Sequence, residues 1–205
     1  MKKIIINKIM NYISRKCNYT EEQLIEIEYG LTGIYLTFSK IIIISIIACF
    51  LGIFKEMLIF MLLFNIIRTT AFGLHATKSW ICLISSIIIF IIIPLICIYI
   101  NLNIYIKGLL CIISTMLIYK NAPADTKKRP IVNKRRRKVL KLLSTLIAIV
   151  FIIISLLINN NFISNCLLFA IILEDFLISP LVYRIFNLPY NNYIDFLKSH
   201  PNFNS

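Results

Sequence analysis

ICLISSIIIFIIIPLICIYI, Ile81 to Ile100, is twenty residues long and carries no charge. A bilayer span needs about 20 mostly apolar residues, so this stretch alone predicts a transmembrane helix. Working outward, apolar runs of similar kind lie near 34 to 53, 54 to 71, 104 to 120, 139 to 158 and 161 to 178. Asn101 to Asn103 and Asn159 to Asn161 mark hairpin turns, and Lys55 with Glu56 marks a third. The expected fold is all-α: a polytopic integral membrane protein of about six transmembrane helices with an N-terminal amphipathic helix. The composition agrees, since 59% of the 205 residues are hydrophobic and only 15% are charged, against about a quarter charged in soluble domains.

The charges bunch. Between Lys120 and Lys141 stand ten basic residues against the single acid Asp125, and five more precede Glu21 in the N-terminal arm. Positive loops stay on the cytoplasmic side, so both termini and the loop at 121–138 are expected to be cytoplasmic. The chain then reads as one membrane domain, 1–205. It comprises an amphipathic interfacial arm (1–30), four spans (34–120), the basic loop (121–138), two more spans (139–178) and a cytoplasmic tail (179–205). The arm starts like a signal peptide, but Asn7, Lys8 and Asn11 break its apolar part and no small-residue cleavage site follows. Its isoleucines return at helical spacing among lysines, which suits a helix lying on an anionic membrane face or docked on the protein itself.

Cys49, Cys97, Cys111 and Cys166 lie in Ile/Leu-rich runs, where a thiol behaves as a small apolar group; Cys17 has no obvious partner. No CxxC or Cys/His zinc spacing occurs, and neither a metal nor another cofactor is expected. The basic loop lacks interleaved aromatics and sits between spans, which argues against nucleic acid and for anionic lipid headgroups or an acidic peptide.

The polar gap before Ile81 reads FGLHATKSW, Phe72 to Trp80, and the topology puts it at the cytoplasmic face. His75 precedes Cys82 by seven residues. In one unbroken helix the two would be separated by roughly 10 Å of rise, beyond the reach of proton transfer. For the pair to act together the helix must break, and Gly73 with the polar Thr77-Lys78-Ser79 stretch supplies the break. Cys82 would then sit in the first turn of the next span, where the helix N-terminus and an imidazolium suit a cysteine nucleophile. The competing reading is that His75 caps one span and Cys82 packs in the next. Arg68, at the margin of the apolar zone, either snorkels or serves the site, and Glu174 or Asp175 could pair with it or orient His75.

RTTAFGLHATKSWIC, with Arg68, Gly73, His75, Ala76 and Cys82 in this order and spacing, resembles the accessory gene regulator B family of Gram-positive quorum-sensing systems. APADTKKRPI, Ala122 to Ile131, resembles the cytoplasmic segment that this family carries before its last spans. The resemblance covers essentially the whole chain. It implies a membrane cysteine endopeptidase that cuts the C-terminal part off a small propeptide and promotes cyclisation of the remainder to a thiolactone or lactone signal. It further implies Cys82 as nucleophile, His75 as its base, and Arg68 as an arginine needed for activity. Gly73 would shape the loop, and Phe72 stands where the family often has another glycine. The implied partner is a propeptide with an amphipathic N-terminal helix and an acidic C-terminal part, which Lys78 and the run from Lys127 to Lys138 could contact. A homo-oligomer is compatible with such spans. A small peptide transporter or exporter is the main alternative, but only Pro94 lies well inside a span, where transport folds interrupt their helices in matching halves. A membrane scaffold is the third, and it would tolerate replacement of His75 and Cys82.

Overall fold

The computed structural model describes residues 2–16, 19–74, 79–127 and 130–200. The chain is an all-α polytopic membrane protein. Among the described residues, five helices are long and apolar enough to cross a bilayer: Glu21–Phe50, Trp80–Tyr99, Ile104–Asn121, Lys134–Leu157 and Asn161–Ile178. The chain divides into two compact units, Met1–Leu51 and Gly52–Ser205.

The first unit holds α1 (Lys2–Lys16) and α2 (Glu21–Phe50), which pack together. In α1 Ile6 is buried, while Ile5 and Ile9 stay exposed as a membrane-facing helix would leave them. Helix α2 starts earlier than the apolar run because Thr20 and Gln23 form a capping box, with reciprocal bonds of 3.3 and 3.0 Å. Glu21 and Glu22 complement the positive end of the helix.

In the second unit, α3 (Phe54–Ala71) follows a turn in which Gly52 takes φ +69°. Lys55 and Glu56, expected in the turn, are instead in the first helical turn of α3. Helix α4 (Ser79–Ile87) continues through a π-helical turn, Ile88–Ile92, into α5 (Ile93–Tyr99). Pro94 explains the π turn: a proline ring cannot sit against the carbonyl four residues earlier, and widening the preceding turn relieves the clash. Then come α6 (Ile104–Asn121), α7 (Lys134–Leu157), α8 (Asn161–Ile178), α9 (Pro180–Ile185) and α10 (Asn192–Ser199). Helix α7 begins at Lys134, so the last five residues of the loop expected at 121–138, all basic, are helical. Asn133 caps it through its side chain, 3.0 Å from the Arg136 N–H.

Helix α8 is the axis of this unit and packs against α3, α5, α6 and α7. Its sequence explains why. Ser164, Asn165, Glu174 and Asp175 are polar groups at bilayer depth, costly against lipid, and all four are buried. The lipid side is left to isoleucines and leucines, such as Leu109 and Ile112 of α6 and Leu146 and Ile153 of α7, all exposed. Helix α3 carries three charges in eighteen residues, yet its Phe60, Phe64, Ile67 and Ala71 share one core with Cys166, Leu167, Ala170, Ile171 and Ile178 of α8.

Candidate active site

Helix α3 ends at Ala71 because the next two residues leave helical space. Phe72 has φ +62° and ψ −124°, and Gly73 has φ +100°. A side chain disfavours such angles; glycine accepts them. The N–H groups freed by the break find backbone partners. Gly73 N–H donates to the Ala124 carbonyl at 2.8 Å, Ala124 N–H to the Ala71 carbonyl at 3.0 Å, and Leu74 N–H to the Leu177 carbonyl at 3.1 Å. The first two bonds form a parallel bridge between Phe72 and Ala124. The segment after Arg68 and the Ala122–Ile131 segment, fifty residues apart in sequence, are therefore one structural knot.

Arg68 tightens it. Its Nη1 donates to Glu174 Oε1 at 3.2 Å and to Oε2 at 3.4 Å, and its Nη2 donates to the Leu74 carbonyl. The Glu174 side chain is 0% exposed and that of Arg68 14%. Of the two acids the sequence offered, Glu174 is the partner, and Asp175 is buried one position further on. Gly73 lies against this pair: a Cβ built on it would stand 2.6 Å from Arg68 Nη1 and 3.0 Å from both Ile178 Cγ2 and the Leu177 carbonyl oxygen. Glycine is required there by dihedral and by space.

Cys82 lies in the first turn of α4 and is half-buried. Its carbonyl accepts the Ser86 hydroxyl at 2.7 Å and the Ser85 hydroxyl at 3.2 Å. His75 and Lys78 fall outside the described residues, as does Cys17. Thus Arg68 and Gly73 are brought together, and Cys82 opens the following helix. Among the described residues no group of three His, Cys, Asp or Glu side chains is placed to hold a metal ion.

Sequence reasoning passed over Asp125. Its side chain accepts the N–H groups of Asn192 (2.9 Å), Tyr193 (2.8 Å) and Ile131 (3.3 Å), and Arg137 Nη1 lies 3.8 Å away. Its carbonyl accepts the Tyr183 hydroxyl at 3.1 Å. Burial pushes the Tyr183 phenol well above its ordinary range, so that hydroxyl remains a donor at physiological pH. One acid among ten bases was the available signal: an isolated countercharge in a basic stretch is a candidate anchor.

The two stretches joined here are those on which the family resemblance rests, and comparison with known proteins supports it over most of the chain. The accessory gene regulator B profile matches residues 6–178. The chain belongs to the accessory gene regulator B family. An AgrB-like protein of Clostridium acetobutylicum is 29% identical over 95% of this chain and 95% of its own length. The accessory gene regulator protein B of Staphylococcus aureus strain Newman is 32% identical over 87% of this chain and 93% of its own. That of strain MW2 is 30% identical, with 87% and 94% covered. No solved structure matches. The family match ends with α8, so α9 and α10, which supply Tyr183, Asn192 and Tyr193 to Asp125, lie beyond it.

Proposed function

We propose that this accessory gene regulator B family member is a membrane-embedded cysteine endopeptidase that cuts the C-terminal part from a quorum-sensing propeptide and promotes closure of the remainder into a thiolactone or lactone. The observation that carries the reading is the break between α3 and α4. Helix α3 stops at Ala71, Gly73 and Leu74 are held by backbone bonds, and the Leu74 carbonyl is held by Arg68, itself paired with Glu174. The next residue in sequence is His75, and Cys82 opens the following helix, so the chain need not run straight between them. Arg68 acts in this reading as a positioning residue: its charge is neutralised by Glu174, and its second nitrogen fixes the backbone leading into His75.

In the reaction, His75 takes the Cys82 thiol proton as sulfur attacks the scissile carbonyl. The C–N bond then breaks, and the same proton goes to the leaving amine, releasing the C-terminal fragment. The remainder stays on Cys82 as a thioester. A thiol within the bound peptide attacks that thioester; its proton returns to Cys82 through His75, and the ring closes. One thioester replaces another, so the transfer is near isoenergetic and needs no ATP. Apolar walls around such a site would favour the internal thiol over water. The positive-inside pattern supports a cytoplasmic position for this site, both termini and the basic loop, where a propeptide with an amphipathic helix and an acidic C-terminal part would be met. Lys78 is a candidate contact for that acidic part.

The test is to co-express the propeptide with the wild-type chain, Cys82→Ala and His75→Ala, and to measure the C-terminal fragment by mass. The peptidase reading expects fragment release below about 1% of wild type with either variant, in line with loss of a nucleophile or its base. A transporter or scaffold would leave release undiminished.

A further inference from the structure

The basic run does more than set orientation. A cavity of about 630 Å³ opens between the end of α6, the start of α7 and residues 190–193. Five cations line it: Lys120, Lys134, Arg137, Lys138 and Lys141. No carboxylate is among its described lining residues. Arg137 is held 3.8 Å from Asp125 and 3.4 Å above the Tyr193 ring, and four lysines line the rest of a space of the size that holds a small ligand. Tyr190 and Tyr193 supply aromatic wall, and the Tyr190 hydroxyl donates to the Asn121 carbonyl at 3.4 Å.

We propose that this cavity is a binding site for the headgroup of an anionic phospholipid. Its place decides the occupant. It lies where two spans meet the membrane surface, with the last turn of α6 on one side and the first two turns of α7 on the other. Lys141 lines the cavity and also sits 4.3 Å over the Tyr119 ring, which is 61% exposed. One turn toward the bilayer from Lys120 is Met116, 66% exposed; next to Lys141 is Leu142, 64% exposed. The ring of cations thus passes directly into bare apolar helix surface through an interfacial tyrosine. A lipid gains from both halves, its phosphate against the lysines and its acyl chains along α6 and α7. A soluble anion gains from only the first. The site is separate from Cys82 and stands whether or not the peptidase reading holds.

The experiment uses the full chain purified in mild detergent, with lipid binding followed by native mass spectrometry. Phosphatidylglycerol is expected to bind at least tenfold more tightly than phosphatidylcholine. Lys138→Gln with Lys141→Gln should weaken phosphatidylglycerol binding about thirtyfold, the effect of two basic contacts near an anionic headgroup. Arg135→Gln with Arg136→Gln removes the same charge from the same helix outside the cavity and should change binding less than about threefold. Equal losses in the two double variants would overturn the proposal in favour of diffuse charge. So would indifference between the two lipids, or displacement of phosphatidylglycerol by equimolar inorganic phosphate or by an oligoglutamate peptide. Should the lysine variant lose helical circular dichroism, the wild type still decides: a photoreactive phosphatidylglycerol headgroup must label peptides from 120–141 or 190–193, and labelling elsewhere refutes the site.

Discussion

The two ends of the second unit solve the same problem in different ways. At one end the spans turn tightly. Asn103 and Asn160 cap α6 and α8 through bonds of 3.0 and 3.1 Å, and buried side chains bond across the helices: Lys107 Nζ donates to Ser164 Oγ at 2.8 Å, and Asn165 Nδ2 donates to the Cys97 and Ile100 carbonyls at 3.0 and 2.8 Å. At the other end Phe72 to Leu74 and Ala122 to Asp125 leave helical geometry, and charge holds them: Arg68 with Glu174, Arg137 with Asp125. Single side-chain hydrogen bonds, without an ion pair among the described residues, suffice where the backbone hardly strays from helix. Where it leaves helix for several residues within an apolar body, its N–H and C=O groups need other partners, and fixed charges reach further.

Substitutions can break this contrast. The largest effect is expected from Gly73→Ala, which meets both an unfavourable φ and the Arg68 guanidinium. It should cost about 3–4 kcal/mol, read as a lower melting temperature in detergent, and abolish propeptide cleavage. Glu174→Gln leaves Arg68 buried without its countercharge and should cost about 3 kcal/mol; cleavage should fall at least tenfold, with Glu174→Asp restoring part of it. At the opposite end Ser164→Ala removes the partner of Lys107 and Ser155 and should cost about 1–2 kcal/mol, while cleavage stays within twofold. Equal loss of cleavage from Ser164→Ala and Glu174→Gln would erase the distinction between the ends. Smallest and opposite in sign is Phe72→Gly: relief of the φ +62° backbone should exceed glycine's extra chain entropy and raise stability by about 0.5–1 kcal/mol.

Much of the fold was legible because bilayer thickness imposes a length on every span, and runs such as Ile81–Ile100 answer to it directly. The interruption after α3 was legible too, since Gly73 and the polar residues behind it cannot be read as apolar helix. Other features need three dimensions. Glu174 and Asp175 differ by one position, which on a helix is about 100° of rotation, and only the packing of α8 on α3 decides which one meets Arg68. The part played by Asp125 rests on donors from Asn192 and Tyr193, invisible to any local pattern. The start of α7 at Lys134 was hidden because five consecutive cations read as loop, although one capping asparagine is enough to begin a helix there. His75, on which the proposed chemistry turns, was singled out from sequence, and its place relative to Cys82 is what the cleavage assays address.

The loop at Asp125 takes its best hydrogen bonds from residues 67 and 68 positions later. Between donor and acceptor lie both α7 and α8, so the loop cannot close until two further helices have been inserted and the chain has returned to the same end. Closure of this end is therefore timed by membrane insertion: a nascent chain halted after α6 would carry Cys82 but lack the donors that clasp Asp125, and the proposed peptidase would be incomplete until synthesis had passed Tyr193.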